Sequence, residues 1–206
     1  MAEVRAVCRA LSGMPRPLFL SFSIKDDGSN QLRSGEPLSA ALAVAAEHSF
    51  VRGLLVNCSS PRAVATALPL FKEAAGKLAE EAGAVVRCGG YANVFKVTRD
   101  LTGFDGLMGL WLTVSMLGRG RRGGVLSLVL HVATSSSCAQ KSTQEWLGQG
   151  AAPVPYADSD FDAEGLMTPA AYAREVKAWV DAGATVVGGC CGTGPAHVAA
   201  IRAALG

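Results

Sequence analysis

Two adjacent cysteines, Cys190 and Cys191, follow a pair of glycines and precede a Gly-Thr-Gly-Pro turn. A third, Cys58, ends the apolar run 53–58, GLLVNC. Each stands where a buried strand gives way to a loop, the end at which parallel α/β folds gather their active sites. Three thiolates converging from two such ends would hold a tetrahedral zinc and leave its fourth position for a substrate. A substrate thiol placed there loses its proton and becomes a nucleophile near neutral pH. The same spacing, without a Cys-x-x-Cys repeat, also admits a vicinal disulfide between Cys190 and Cys191, or plain packing of small apolar side chains. Cys88, read as the end of another strand, is a fourth candidate ligand. Cys8 and Cys138 fall in a helix and in an anomalous segment, and are read as incidental. His48, His131 and His197 fall in helix or in that segment, and are read as core or surface groups.

Alternating elements must position these thiols. The apolar run 18–24 predicts a buried strand, followed by a polar loop over 25–30. An Ala-rich helix over 37–50 starts at Pro37, and the run 53–58 is the second strand. Residues 61–82 read as helix, bent or divided near Pro69 and stopped by Gly83, with a third strand over 84–88. Thr168 is an N-cap and Pro169 the first residue of a helix running to Gly183. A fourth strand covers 185–189, and a last helix covers 195–205 with its N-terminus facing the cysteine turn. This alternation predicts a parallel sheet with helices packed outside it.

The 206 residues fit one globular domain. A net charge of +2, from 19 Lys plus Arg against 17 Asp plus Glu, provides no basic field for nucleic acid or an anionic membrane. Six cysteines in a chain of this length, with no signal peptide at Met1, point to free thiols in the cytoplasm.

The stretch 101–140 breaks the pattern. Two apolar runs flank Arg119, Arg121 and Arg122 with no βα signals, and each is shorter than the roughly 20 residues that span a bilayer. No membrane association is expected. The bias to Gly, Arg, Leu and Ser fits a translated non-coding segment or a lineage-specific loop.

The runs SFSIKDDGSNQLRSGEPLSAAL at 21–42, VNCSSP at 56–61 and GATVVGGCCGTGPAHVAAIRAAL at 183–205 together resemble the homocysteine S-methyltransferase family. That family includes S-methylmethionine-dependent and betaine-dependent enzymes and the homocysteine domain of cobalamin-dependent methionine synthase. The resemblance implies a (β/α)8 barrel whose Zn2+ is held by Cys58, Cys190 and Cys191. It also implies that homocysteine sulfur completes the metal sphere and takes a methyl group to give methionine. The segment CGGYANVF at 88–95 resembles the family's stretch with Tyr, a small residue and Asn, which places Tyr91 and Asn93 at the substrate mouth. The wording of the motifs lies nearest the S-methylmethionine branch.

The family's Gly-rich first strand and its Glu-Thr pair are not found in these residues, and 2–11 resembles the helix that follows that Glu. The resemblance therefore implies the C-terminal half of a TIM-type barrel over 1–206, with 101–140 as an irregular insertion. Such a half is expected to bind zinc with weak or no turnover and, through its open sheet edges, to dimerise, pair with another fragment or aggregate. The alternative is a non-catalytic zinc-binding or assembly fragment.

Overall fold

The computed structural model describes residues 2–13, 16–96 and 156–206, and between them the strands Leu112–Arg119 and Val125–Val132 as backbone. The chain runs α1 (Ala2–Ala10), β1 (Leu18–Phe22), α2 (Leu38–Ala46), β2 (Val51–Asn57), α3 (Pro61–Ala82) and β3 (Arg87–Ala92). It continues through β4 (Leu112–Arg119), β5 (Val125–Val132), α4 (Pro169–Asp181), β6 (Val186–Gly189) and α5 (Pro195–Leu205). The sheet order is β5-β4-β1-β2-β3-β6. The four strands β1, β2, β3 and β6 are parallel. This is an α/β fold whose parallel sheet is consistent with part of a (β/α)8 barrel, and no closure joins its ends among the described residues.

Period-two alternation divides the parallel strands into two faces. Leu20, Phe22, Leu54 and Val56 are buried in the core together with Val64, Leu68 and Phe71 of α3 and Val176 and Trp179 of α4. Ser21 lies on the opposite, inner face, where its hydroxyl donates to Asn57 Oδ1 at 2.9 Å. All five residues of β1 are buried.

The helix signals hold at their ends. The Ser60 side chain accepts from Ala63 N at the start of α3, with Pro61 next, and Gly83 closes it in the left-handed conformation at φ 58°. Thr168 caps α4 in the same way through Ala171 N. The helix read as bent or divided near Pro69 is not divided, running continuously over Pro61–Ala82. Pro69 and Ala65 are both exposed, so the carbonyl left without its helical donor faces water. The Ala-rich helix stops at Ala46, short of 50, because the chain must turn into β2, and Val51 N donates to His48 O at 3.0 Å.

Two expectations are corrected. The third strand begins at Arg87, not Ala84, and takes in Gly89 and Gly90. Glycine pairs read as turn signals, but here the close approach of neighbouring elements requires them. A Cβ on Gly89 (φ 155°) would stand 1.8 Å from Val186 O, so β6 can pair with β3 only where that side chain is missing. The second correction concerns 101–140, read as irregular. Within it β4 and β5 pair with each other antiparallel, and β4 pairs antiparallel with β1. A strand edge is an unpaired row of donors and acceptors, and a hairpin supplies the matching row without any crossover helix. The edge of β1 is thus covered by the chain itself, while β6 remains an edge of the sheet. The rest of 101–140, Cys138 included, lies outside the described residues. No helix among the described residues is long and apolar enough to cross a membrane.

Phe71 is fully buried, with its ring 6.0 Å from that of Phe22 across the α3–β1 interface. Phe71→Ala should lower unfolding free energy by about 3–5 kcal/mol, read from the denaturant midpoint.

Candidate metal centre

Cys58 and Cys190 are each the first residue beyond their strands, β2 and β6, and Cys191 follows directly. These strands are not neighbours, because β3 lies between them. The register aligns Asn57 with Tyr91 and Tyr91 with Gly188, so all three turns leave the sheet at one level. Asn57 faces inward, so a strand continuing through Cys58 would send its side chain to the helix face. Cys58 instead takes the left-handed conformation, φ 48°. That turn brings its Sγ to 2.9 Å from Cys190 Sγ, and Cys190 Sγ is 3.7 Å from Cys191 Sγ.

The chain just past β3 fastens the two turns to each other. Asn93 N donates to Ser59 O at 2.9 Å, Val94 N to Cys191 O at 3.2 Å, and Cys190 N to Ala92 O at 2.9 Å. The Asn93 side chain adds a bond, its Oδ1 accepting from Cys191 N at 3.3 Å. The Asn93 side chain thereby fixes the Cys191 backbone. Tyr91, two residues earlier on the same face, is half-buried beside Gly188. Gly192 follows at φ 80°, a conformation that costs an L-residue about 1–2 kcal/mol.

A second group of residues holds the cysteine turn from the helix side. The Tyr172 hydroxyl of α4 lies 2.7 Å from Gly188 O and accepts from Ala92 N at 3.0 Å, bridging the ends of β3 and β6. Thr193 Oγ1 donates to Cys190 O at 2.6 Å. The buried ring of His197 accepts from Gly194 N through Nδ1 at 3.1 Å, and its Nε2 lies 2.9 Å from Met167 O. His197 is thus a core group, as its place in a helix implied. Sequence reasoning did not single out Tyr172 or Thr193. Tyr172 reads as one more apolar position of an amphipathic helix, whereas Thr193, inside the quoted GGCCGTG run, could have been suspected from turn chemistry.

Among the described residues, Cys58, Cys190 and Cys191 form a group whose ligand atoms all lie within 4.8 Å of one another. Cys88 does not join them. It is the second residue of β3 rather than its last, so nearly the whole strand separates it from the turns. Its Sγ lies 3.7 Å from Gly183 O, and burial pushes its pKa up. Cys8 is fully buried in α1, its thiol raised to about 11 by burial and by Glu47. All described cysteines are free, Cys190 and Cys191 included, so no vicinal disulfide joins them.

The donor set suits a thiophilic dication. Tetrahedral ligands at a Zn–S distance of about 2.3 Å stand roughly 3.8 Å apart. The Cys190–Cys191 separation already meets that, and Cys58 needs to withdraw by less than about 1 Å. Hydrogen bonds from Cys190 and Cys191 draw the Cys58 thiol far below the usual thiol range. Hydrogen bonding with Cys191 and with Cys58, together with burial, pushes the Cys190 thiol up. Three thiols so close share negative charge poorly, and a cation between them relieves that repulsion.

No curated protein matches this chain. The family model described as homocysteine S-methyltransferase matches residues 1–104 and 128–205. Its gap falls inside the stretch that broke the βα pattern, and both matched parts carry the cysteine turns. The chain belongs to the homocysteine S-methyltransferase family.

Proposed function

We propose that this chain is a zinc-dependent methyltransferase that moves a methyl group from S-methylmethionine, or a related donor, to homocysteine, giving methionine. The observation that carries the reading is the convergence of three sulfurs from two non-adjacent strand ends, held in place by the backbone of a third. Cys58, Cys190 and Cys191 are the residues that would hold the metal, with Tyr91 and Asn93 lining the mouth. Zinc bound there supplies the charge that keeps a substrate thiol, of pKa about 8.5 when free, deprotonated near neutral pH. The homocysteine sulfur then forms a bond to the methyl carbon as the bond to the donor's sulfonium sulfur breaks. The departing thioether carries the electron pair away. No proton has to move in that step, so alignment and exclusion of water are what the protein must provide. Free thiols suit a reducing compartment, which we take to be the cytoplasm.

A second reading, a non-catalytic zinc-binding or assembly module, is favoured by the open edge of β6 and by a parallel sheet of four strands. We take 1–206 as one partial barrel domain, with weak turnover on its own and pairing with a second copy through the β6 edge. Methionine formation by the purified 206-residue protein at an ordinary enzymatic rate, about 1–10³ s⁻¹, would overturn the expectation of weak turnover.

Metal analysis should find about one zinc per chain, lost in Cys58→Ala and Cys190→Ala and kept in Cys88→Ala. Retention of zinc in Cys190→Ala would remove that residue from the ligand set. The two functional readings separate on titration of homocysteine into the cobalt-substituted protein. An added thiolate charge-transfer band is expected for the enzyme, and an unchanged spectrum would leave the non-catalytic reading standing.

A further inference from the structure

The left-handed conformation of Cys58 has a cost, and a buried ion pair brackets the residue that bears it. The loop after β1 folds back on itself, with Ile24 bridged to Leu32 and Lys25 N donating to Gln31 O at 2.9 Å. This brings Asp26 and Arg33 together at 3.7 Å, with side chains only 7% and 10% exposed. Arg33 Nη2 donates to the carbonyl of Cys58 at 2.5 Å. Asp26 Oδ1 accepts from the backbone N–H of Ser60 at 2.6 Å. The two charges thus hold the polar backbone groups on either side of the turn, one at Cys58 and one at Ser60.

We propose that Asp26 and Arg33 are positioning residues for the metal centre, a clamp that keeps Cys58 in the left-handed turn from which its sulfur can reach Cys190 and Cys191. The inference rests on the zinc reading for its function, though not for its geometry. An L-residue loses about 1–2 kcal/mol in the left-handed region, and hydrogen bonds to charged groups are the stronger kind that can offset such a cost. A mutual pair also explains how an arginine is kept beside thiolates in a buried place. Burial disfavours its charge, and Asp26, Cys58 and Cys191 favour it. Asp26 cancels the net charge, so the clamp acts through geometry. Without it, Cys58 is free to relax to the extended backbone that points its side chain away from the other two sulfurs.

Removing one partner alone would strand a buried charge and threaten the fold, so the test removes both in Asp26→Ala/Arg33→Met, alanine leaving no acceptor for the Ser60 amide. Zinc affinity is measured by competition with a chromophoric chelator, and amide exchange is followed in zinc-free protein. The double variant should bind zinc about 10–100-fold more weakly, the usual effect of losing an outer-shell partner. Its Ser60 amide should exchange faster while the amides of α4 keep the parent's rates. Leu78→Ala, at a buried position of α3, serves as the control: it should lower the denaturation midpoint and leave zinc affinity at the parent's value. Parent-like zinc affinity in the double variant, or an equal loss in Leu78→Ala, would overturn the clamp. If the parent itself binds no zinc, the zinc reading fails. The Ser60 amide then decides alone, unchanged exchange refuting the clamp and faster exchange sustaining it.

Discussion

Three sulfurs can meet here only if side chains from two strands that do not touch are turned to the same side of the strand between them. Everything at the strand ends serves that constraint. The sheet's own alternation works against it at Cys58, whose predecessor Asn57 already faces inward to Ser21. The left-handed backbone at Cys58 resolves the conflict by breaking the alternation at the first residue where the ladder no longer enforces it. Such local strain persists only where surroundings over-determine it, and here they do. Arg33 holds the Cys58 carbonyl, Asp26 the Ser60 amide and Asn93 the Ser59 carbonyl.

The core and the site are joined through a few polar atoms rather than through shared packing. Helices α3 and α4 bury their apolar faces on the outer side of the sheet, and the thiols lie beyond its strand ends. Tyr172 carries position from one to the other: its ring is buried beside Trp179, at 5.9 Å and nearly perpendicular, and its hydroxyl reaches the last peptide groups of β3 and β6. His197 does the same for α5, its ring 5.9 Å from that of Tyr172 and its Nδ1 on the Gly194 amide two residues past the Gly192 turn. A thiol cluster built on turns needs such supports, because turns lack the ladder that keeps strands in register.

The interruption between β3 and α4 shows how an α/β sheet absorbs extra chain. The family match resumes at residue 128, within β5, after a gap over 105–127 that contains β4. The added length forms a hairpin along β1, at the opposite side of the sheet from β6. The parallel pairing of β1, β2, β3 and β6, which sets the level of the cysteine turns, runs across all four strands, and its register shift between Leu18 and Phe19 lies at the end of β1 away from those turns.

Much of this was legible in the chain alone, because it depends on local chemistry. The cap at Thr168, prolines at Pro61, Pro169 and Pro195 and the stop at Gly83 place the helices within a few residues. The Cys-Cys pair after two glycines marks a strand end by its own turn chemistry. The start of β3 was not legible, since Gly89 and Gly90 punctuate a sequence and only the nearness of β6 and α3 makes them strand residues. Cys88 was misplaced for the same reason, and the hairpin over 112–132 was invisible because an edge strand is defined by the edge it finds. The sequence by itself determined the helices, the centres of the parallel strands and the candidate thiols. Which face each thiol takes, and that Asp26, Arg33, Asn93 and Tyr172 hold them there, only the tertiary structure decided, because those contacts join residues far apart in the chain and depend on sheet register rather than on neighbours.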